Sequence, residues 1–174
     1  MVTLDDVDRR ILDLLQANAR RTNAEIAEDV GLTAPSVFER IRKLEQRGVI
    51  RGYTVQVDPQ ALGKPLTAFI RLTAAYDDRH AAGVQALAAD PDVLECYSVA
   101  GEDCFIIKTR VSDPSALQAL IHRIRGQLTV LRSVTMIALS AVKEGGPLRA
   151  AAPQAERRPA RNGHSAAPVR RRGG

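Results

Sequence analysis

Residues 23–50, NAEIAEDVGLTAPSVFERIRKLEQRGVI, constrain this chain more tightly than any other stretch. They predict two short helices joined by a tight turn, the second with a basic outer face. Ile26, Ala27 and Val30 form one apolar side of the first helix, with Ala27 small where a second helix must cross closely. Gly31 falls just past the last turn, where a left-handed C-terminal cap favours a residue without a Cβ. Thr33 then offers a hydroxyl N-cap, and Pro35 lies in the first turn, where its missing N–H costs nothing. Val37, Ile41 and Leu44 recur at helical spacing and face a core, while Ser36, Glu39, Arg40, Lys43 and Arg47 share the opposite face.

That arrangement is what a groove-reading helix requires. Side chains near the helix start meet base edges, and basic groups further on meet phosphates. An ordinary surface helix also carries a charged outer face, so the flanking residues decide. Upstream, LDDVD supplies Asp caps, and Val7, Ile11, Leu14 and Leu15 follow at helical spacing, giving a third helix for a small core. Downstream, the helix stops at Gly48, and residues 50–57 alternate apolar and polar like a strand or short wing. The candidate DNA-contacting set is Thr22, Asn23, Thr33, Ala34, Pro35, Ser36, Glu39, Arg40, Lys43, Arg47 and Arg51. Ser36, Glu39 and Arg40 are expected at base edges.

Composition narrows the classes. No run of 18 apolar residues exists to cross a membrane, and the acidic, polar N-terminus is not a signal peptide, so a cytoplasmic location is expected. Cys96 and Cys104 are the only cysteines; they are expected as free thiols, with no cluster to hold a metal and no cofactor implied. The net charge of +5 is uneven. Residues 1–140 hold 17 basic and 18 acidic side chains, whereas residues 141–174 hold 8 basic and 2 acidic ones.

A second domain follows residues 54–65, read as a linker strand and loop after a DNA-binding domain at 1–53. Strands are expected at 66–74, 93–99, 104–111 and 130–139. Helices are expected at 79–89, burying Val84, Leu87 and Ala88, and from Asp113-Pro114, burying Leu117, Leu120, Ile121, Ile124 and Leu128. The order is β-α-β-β-α-β. Residues 93–99 align with 130–136 at an offset of 37, an internal duplication. Both point to a ferredoxin-like sandwich at 66–143, so the whole chain reads as α+β, a winged helix-turn-helix plus a βαββαβ domain. The sheet face not covered by helices, with Tyr97, Ile106 and Lys108, is expected to hold a dimer. Residues 144–174 lack periodicity and are rich in Gly, Pro, Ala and Arg. They read as a disordered basic tail, either a solvated appendage or a sequence-independent DNA-clinging arm.

No catalytic constellation emerges. His80, His122 and His164 are isolated, the first two expected to face solvent from helices, and no Ser or Cys has a paired base.

The plan resembles the Lrp/AsnC (feast/famine) family of transcription regulators. The matching runs are LDDVDRRILDLLQANARRTNAEIAEDVGLTAPSVFERIRKLEQRGVIRGYTVQVDP and LECYSVAGEDCFIIKTRV, within residues 4 to about 143. The resemblance implies a double-stranded DNA partner, a homodimer assembled into octamer-like discs, and a small amino-acid effector bound near the turn after the second sandwich strand. Here that turn is Ser98, Ala100, Gly101, Glu102, Asp103 and Cys104. The family pattern of Gly-Asp-x-Asp and an aromatic is altered: Gly101-Glu102-Asp103-Cys104-Phe105 places Cys104 at the second carboxylate and an acid one position earlier. A glycine turn exposes N–H groups to a carboxylate, and Glu102 or Asp103 is positioned for an ammonium; a plain polar hairpin turn has the same composition. An enzyme on the same scaffold, such as an Lrp-like siroheme decarboxylase, is the alternative. It would show His and Arg on the sheet for a carboxylated tetrapyrrole, and the strands at 93–99 and 104–107 carry neither.

Overall fold

The computed structural model describes residues 3–149. The chain divides into two compact units: residues up to Arg51 with the segment from Pro147 onward, and Gly52–Gly146.

The first unit is built on α1 (Asp6–Ala17), α2 (Asn23–Val30) and α3 (Ala34–Gln46). Each helix starts at a side-chain cap. The Asp5 carboxylate accepts the Asp8 N–H at 2.7 Å, and the Asp8 carboxylate accepts the Asp5 N–H at 3.4 Å. Thr22 and Glu25 repeat this reciprocal arrangement on α2, and Thr33 caps α3 through the Ser36 N–H. Gly31 takes the left-handed conformation at φ 68°, closing α2 and setting up the turn into α3. Ile11, Leu14, Leu15, Ile26, Ala27, Val37 and Leu44 are buried together. Each larger aliphatic side chain buried this way contributes about 1.5–3 kcal/mol.

Beyond α3 the structure departs from expectation. Residues 50–57 form no strand, so no wing is present among the described residues. Tyr53, Val55 and Val57 are exposed. Alternation alone does not make a strand, because the ladder needs a neighbouring backbone to accept and donate.

The second unit contains β1 (Leu66–Ala74), α4 (His80–Ala89), β2 (Val93–Ser98), β3 (Phe105–Val111), α5 (Pro114–Gln127) and β4 (Val130–Ile137). The strands form one antiparallel sheet in the order β2-β3-β1-β4. The two duplicated segments therefore lie at opposite edges. Ala68, Ile70, Leu72 and Ala74 of β1 and Phe105, Ile107 and Val111 of β3 face Leu87 of α4 and Leu117, Leu120 and Ile124 of α5. Helix α4 packs through Gly83 rather than Ala88, which is exposed. A Cβ at residue 83 would meet Leu128 Cδ2 at 2.5 Å and the Gln127 carbonyl at 2.6 Å, so only glycine allows this approach. His80 is likewise not solvent-facing. Its ring stacks on Tyr76 with centroids 4.0 Å apart, and its Nδ1 lies 3.1 Å from the Ala75 carbonyl.

The ordered sandwich continues past residue 143. Glu144 bonds Lys108 at 2.7 Å and also pairs with Arg110, which brings the segment after β4 onto the sheet. The tail expected at 144–174 lies outside the described residues from 150 on.

Candidate nucleic-acid interface and effector turn

The α3 outer face is the first site. Ser36, Lys43 and Arg47 are exposed, as are Thr22, Thr33, Pro35 and Arg51, while Asn23, Ala34 and Glu39 are half-buried. Thr22 and Thr33 already serve as caps, and the Ser36 hydroxyl lies 2.9 Å from that of Thr33. Glu39 pairs with Arg42 at 2.8 Å. A groove of about 710 Å³ runs along this face, lined among others by Asp5, Asp8, Ser36, Arg40, Lys43 and Arg47.

Arg40 does not project as the spacing suggests. Its Nη1 lies 2.7 Å from both Asp5 and Asp8, tying the middle of α3 to the start of α1. The helical period put Arg40 on the outer face, but the opposite charges 32 and 35 positions away draw it sideways. The Asp5 carboxyl is held below its ordinary value, first by the Asp8 N–H and then by Arg40. Sequence reasoning also missed Phe38, which leaves an aromatic ring 52% exposed on α3.

The second site is the turn between β2 and β3. The Val99 N–H donates to the Cys104 carbonyl at 3.0 Å, and the Cys104 N–H donates to Leu72 at 2.9 Å, fixing the turn against β1. The Thr73 hydroxyl donates to the Glu102 carbonyl at 3.1 Å. Gly101 has φ 145° with open space where a Cβ would sit, so its requirement is conformational and not steric. Among the described residues the exposed N–H groups of Gly101 and Glu102 donate to no backbone acceptor.

The two acids of this turn differ. Asp103 is buried, and its carboxylate accepts from Arg71 Nε at 2.6 Å. It is therefore engaged by a cation of its own sheet. The Glu102 side chain is 82% exposed and lies a long 4.0 Å from Arg132. Cys104 is half-buried, its Sγ 3.8 Å from the Ala74 carbonyl. Ser98 and Ala100 flank the turn, Ser98 exposed and pairing with Phe105 in the ladder. No signal in the sequence linked Arg71 to Asp103, because the partners lie 32 positions apart, one on β1 and the other in the turn between β2 and β3. Cys96 is half-buried, and burial pushes its thiol up.

A capped helix-turn-helix joined in one chain to an antiparallel sandwich with an open turn defines a two-part DNA-binding regulator with an effector domain. Comparison with known proteins gives the same class. Residues 4–45 match the AsnC-type helix-turn-helix domain, and residues 67–148 match the Lrp/AsnC ligand binding domain. The HTH-type transcriptional regulator LrpA of Mycobacterium tuberculosis is 37% identical over 134 residues, which is 77% of this chain and 89% of that protein. The leucine-responsive regulatory protein of Escherichia coli is 37% identical over 123 residues, 68% of this chain and 73% of that one. A Neisseria meningitidis transcriptional regulator solved in complex with L-Met has a TM-score of 0.79 at 28% identity, covering 84% of this chain and 96% of that chain. This chain belongs to the Lrp/AsnC family of transcriptional regulators.

Proposed function

We propose that the chain is a transcription regulator whose α3 enters the major groove of double-stranded DNA and whose hold on that DNA responds to a small amino acid. The observation that carries the reading is the pairing of an exposed Ser36–Lys43–Arg47 face on a capped helix with a turn that leaves backbone donors open. Ser36 and Glu39 read base edges. Lys43, Arg47 and Arg51 meet phosphates, and the Thr22, Asn23, Thr33, Ala34 and Pro35 turns bring backbone close to the sugar-phosphate chain. At the effector turn the amino-acid carboxylate accepts from the Gly101 and Glu102 N–H groups, and Glu102 meets the ammonium. Asp103, bonded to Arg71, shapes the turn instead, with Ser98, Ala100 and Cys104 forming its walls.

The unit that binds DNA is a homodimer, within a larger octamer-like assembly. The open sheet face carries Ile106, Tyr97 and Met136, all exposed, with Lys108, Arg110, Glu95 and Glu144 around them. An apolar centre with a charged rim is the anatomy of a protein–protein interface. It is less aliphatic than the sequence suggested. Ile106→Asp yields monomers that bind DNA poorly, because half-sites need paired recognition helices. The work is done in the cytoplasm and without catalysis, a reading supported by relatives that are named transcriptional regulators.

The test is calorimetry of the protein against each of the twenty amino acids at millimolar concentration, then operator binding with the best one. One amino acid gives heat and shifts DNA affinity, by about 1–3 kcal/mol. Gly101→Val, which places a branched residue at φ 145°, keeps DNA binding and loses the response. No heat from any amino acid overturns the effector assignment.

A further inference from the structure

Given the DNA-binding reading above, on which this rests, we infer that Phe38 reads the C5-methyl group of a thymine in the major groove. Phe38 thereby makes α3 selective for operators that carry a thymine in each half-site. The side chain is 52% exposed, and among residues 3–51 it is the single large apolar side chain left exposed. Its neighbours on α3 behave otherwise. Val37 and Leu44 are buried in the core and Ile41 packs against it, whereas about half of Phe38 faces water. Core packing therefore does not call for an aromatic ring at this position, and the ring stands on the helix that meets DNA.

Position on the helix says what the ring meets. With about 3.6 residues per turn, the side of α3 opposite Val37, Ile41 and Leu44 is a broad arc. Phe38 and Arg42 form one flank of it, Pro35 and Glu39 its middle, and Ser36, Lys43 and Arg47 the other flank. A helix about 10–12 Å across fills a major groove about 12 Å wide, so both flanks come against DNA. α3 begins at Ala34, which places Phe38 in the N-terminal part of the helix that meets base edges. Arg42, one turn further on the same flank, is exposed beside it and bonded to Glu39 at 2.8 Å. The chemistry of the ring leaves one target. A phenyl group donates and accepts no ordinary hydrogen bond, so the donors and acceptors of the groove are lost on it. The apolar feature of the groove is the thymine methyl, and a ring laid on it takes both from water. Cytosine at the same place presents an amino group, which the ring would desolvate without pairing. A second copy of the chain is the other surface an exposed ring can meet. A stable protein interface takes about 20–30 residues a side, and Phe38 has no large apolar companion exposed among residues 3–51.

The test removes the methyl group from the DNA and the ring from the protein, separately and together. The full-length wild type first selects duplexes from a random-sequence library. The best of them is remade with deoxyuridine in place of each thymine in turn, which deletes one methyl and nothing else. Affinities of wild type, Phe38→Ala and Phe38→Leu are then compared by fluorescence anisotropy. At one thymine in each half-site, deoxyuridine weakens the wild type about fourfold, the weight of one methyl group taken from water. Phe38→Ala binds the parent duplex more weakly and loses nothing further when that thymine is replaced. Phe38→Leu, which keeps an apolar side chain there, still discriminates by about twofold. A loss on deoxyuridine that is equal in wild type and Phe38→Ala overturns the assignment, as does a wild type indifferent to every replacement. If Phe38→Ala lowers the mass seen by light scattering while discrimination of thymine is intact, the ring serves a second copy of the chain and the assignment fails. A library from which wild type selects no sequence sinks the DNA reading itself, and this with it; a selection without thymine dependence sinks this alone.

Discussion

Arg40 in the helix-turn-helix unit and Asp103 in the sandwich unit look alike in the sequence. Each is a charged residue where a ligand is expected, and each is bonded inside its own unit. They differ in what surrounds the bond. Arg40 holds Asp5, whose side chain is 52% exposed, and Asp8, whose side chain is 13% exposed, and keeps 32% exposure itself, so water already reaches the Asp5 side of the cluster. Asp103 is only 8% exposed and sits against Arg71. A pair of the first kind has a net worth of about 0–1 kcal/mol and can exchange one partner for a phosphate. A pair of the second kind holds a charge that must stay matched, because unpairing it leaves a buried carboxylate. Burial, and not the presence of a partner, separates a group available to a ligand from one committed to the framework.

The comparison breaks first at Asp103. Asp103→Ala should cost the sandwich unit about 3 kcal/mol, the low end of the range for breaking a buried pair, because Arg71 keeps 37% exposure. Urea unfolding checks this, with far-ultraviolet helix signal and operator binding followed in parallel. Unchanged stability with a lost amino-acid response would make Asp103 a ligand contact after all. The next effect is at Arg40. Arg40→Ala should leave stability within about 1 kcal/mol of wild type and lower operator affinity by about 1–2 kcal/mol, the scale of a single good contact. Equal losses on operator and random DNA would assign Arg40 to phosphate; no loss on either would make its bond to Asp5 and Asp8 its whole role.

The smallest effect is in acid. The Asp5 carboxyl is depressed in the folded chain below its ordinary value of 3.8, so its contribution is fully present above that pH. It is lost as pH falls through the lower folded value. Asp90 and Asp92 behave alike in the sandwich, Asp90 held down first by Arg123 and Asp92 first by Lys64. Both units should therefore lose stability below about pH 4. Circular dichroism of Asp5→Asn across that range should show less acid-dependent loss in α1. An identical acid transition in wild type and variant would remove Asp5 from the account.

Legibility in the sequence followed the range of the interactions. The first unit was readable almost throughout, since its decisive contacts span three or four residues: Asp5 with Asp8, Thr22 with Glu25, Gly31 closing one helix before Thr33 opens the next. The sandwich strands were readable from alternation, and the ferredoxin-like class from their order along the chain together with the duplication. What stayed hidden was every partnership between distant residues. The capture of Arg40 by Asp5 and Asp8, of Asp103 by Arg71, and of Glu144 by Lys108 and Arg110 has no local signature. The stretch at 50–57 misled in the opposite sense. It has the strand pattern but forms no strand.

The central claim is that an exposed face of α3 reads sequence. The direct measurement is retention of fragments of the source genome by the full-length protein, followed by sequencing, run beside a Ser36→Ala, Lys43→Ala double variant. Both positions are exposed, so the variant keeps its fold. Wild type should enrich a small set of fragments sharing a two-fold symmetric motif, with half-sites spaced by about one helical turn of 10–10.5 base pairs or a multiple of it. The variant should lose the enrichment and keep its weak binding to bulk DNA. Wild-type recovery no different from random DNA, or an enrichment that survives both substitutions, would contradict the assignment of sequence reading to α3.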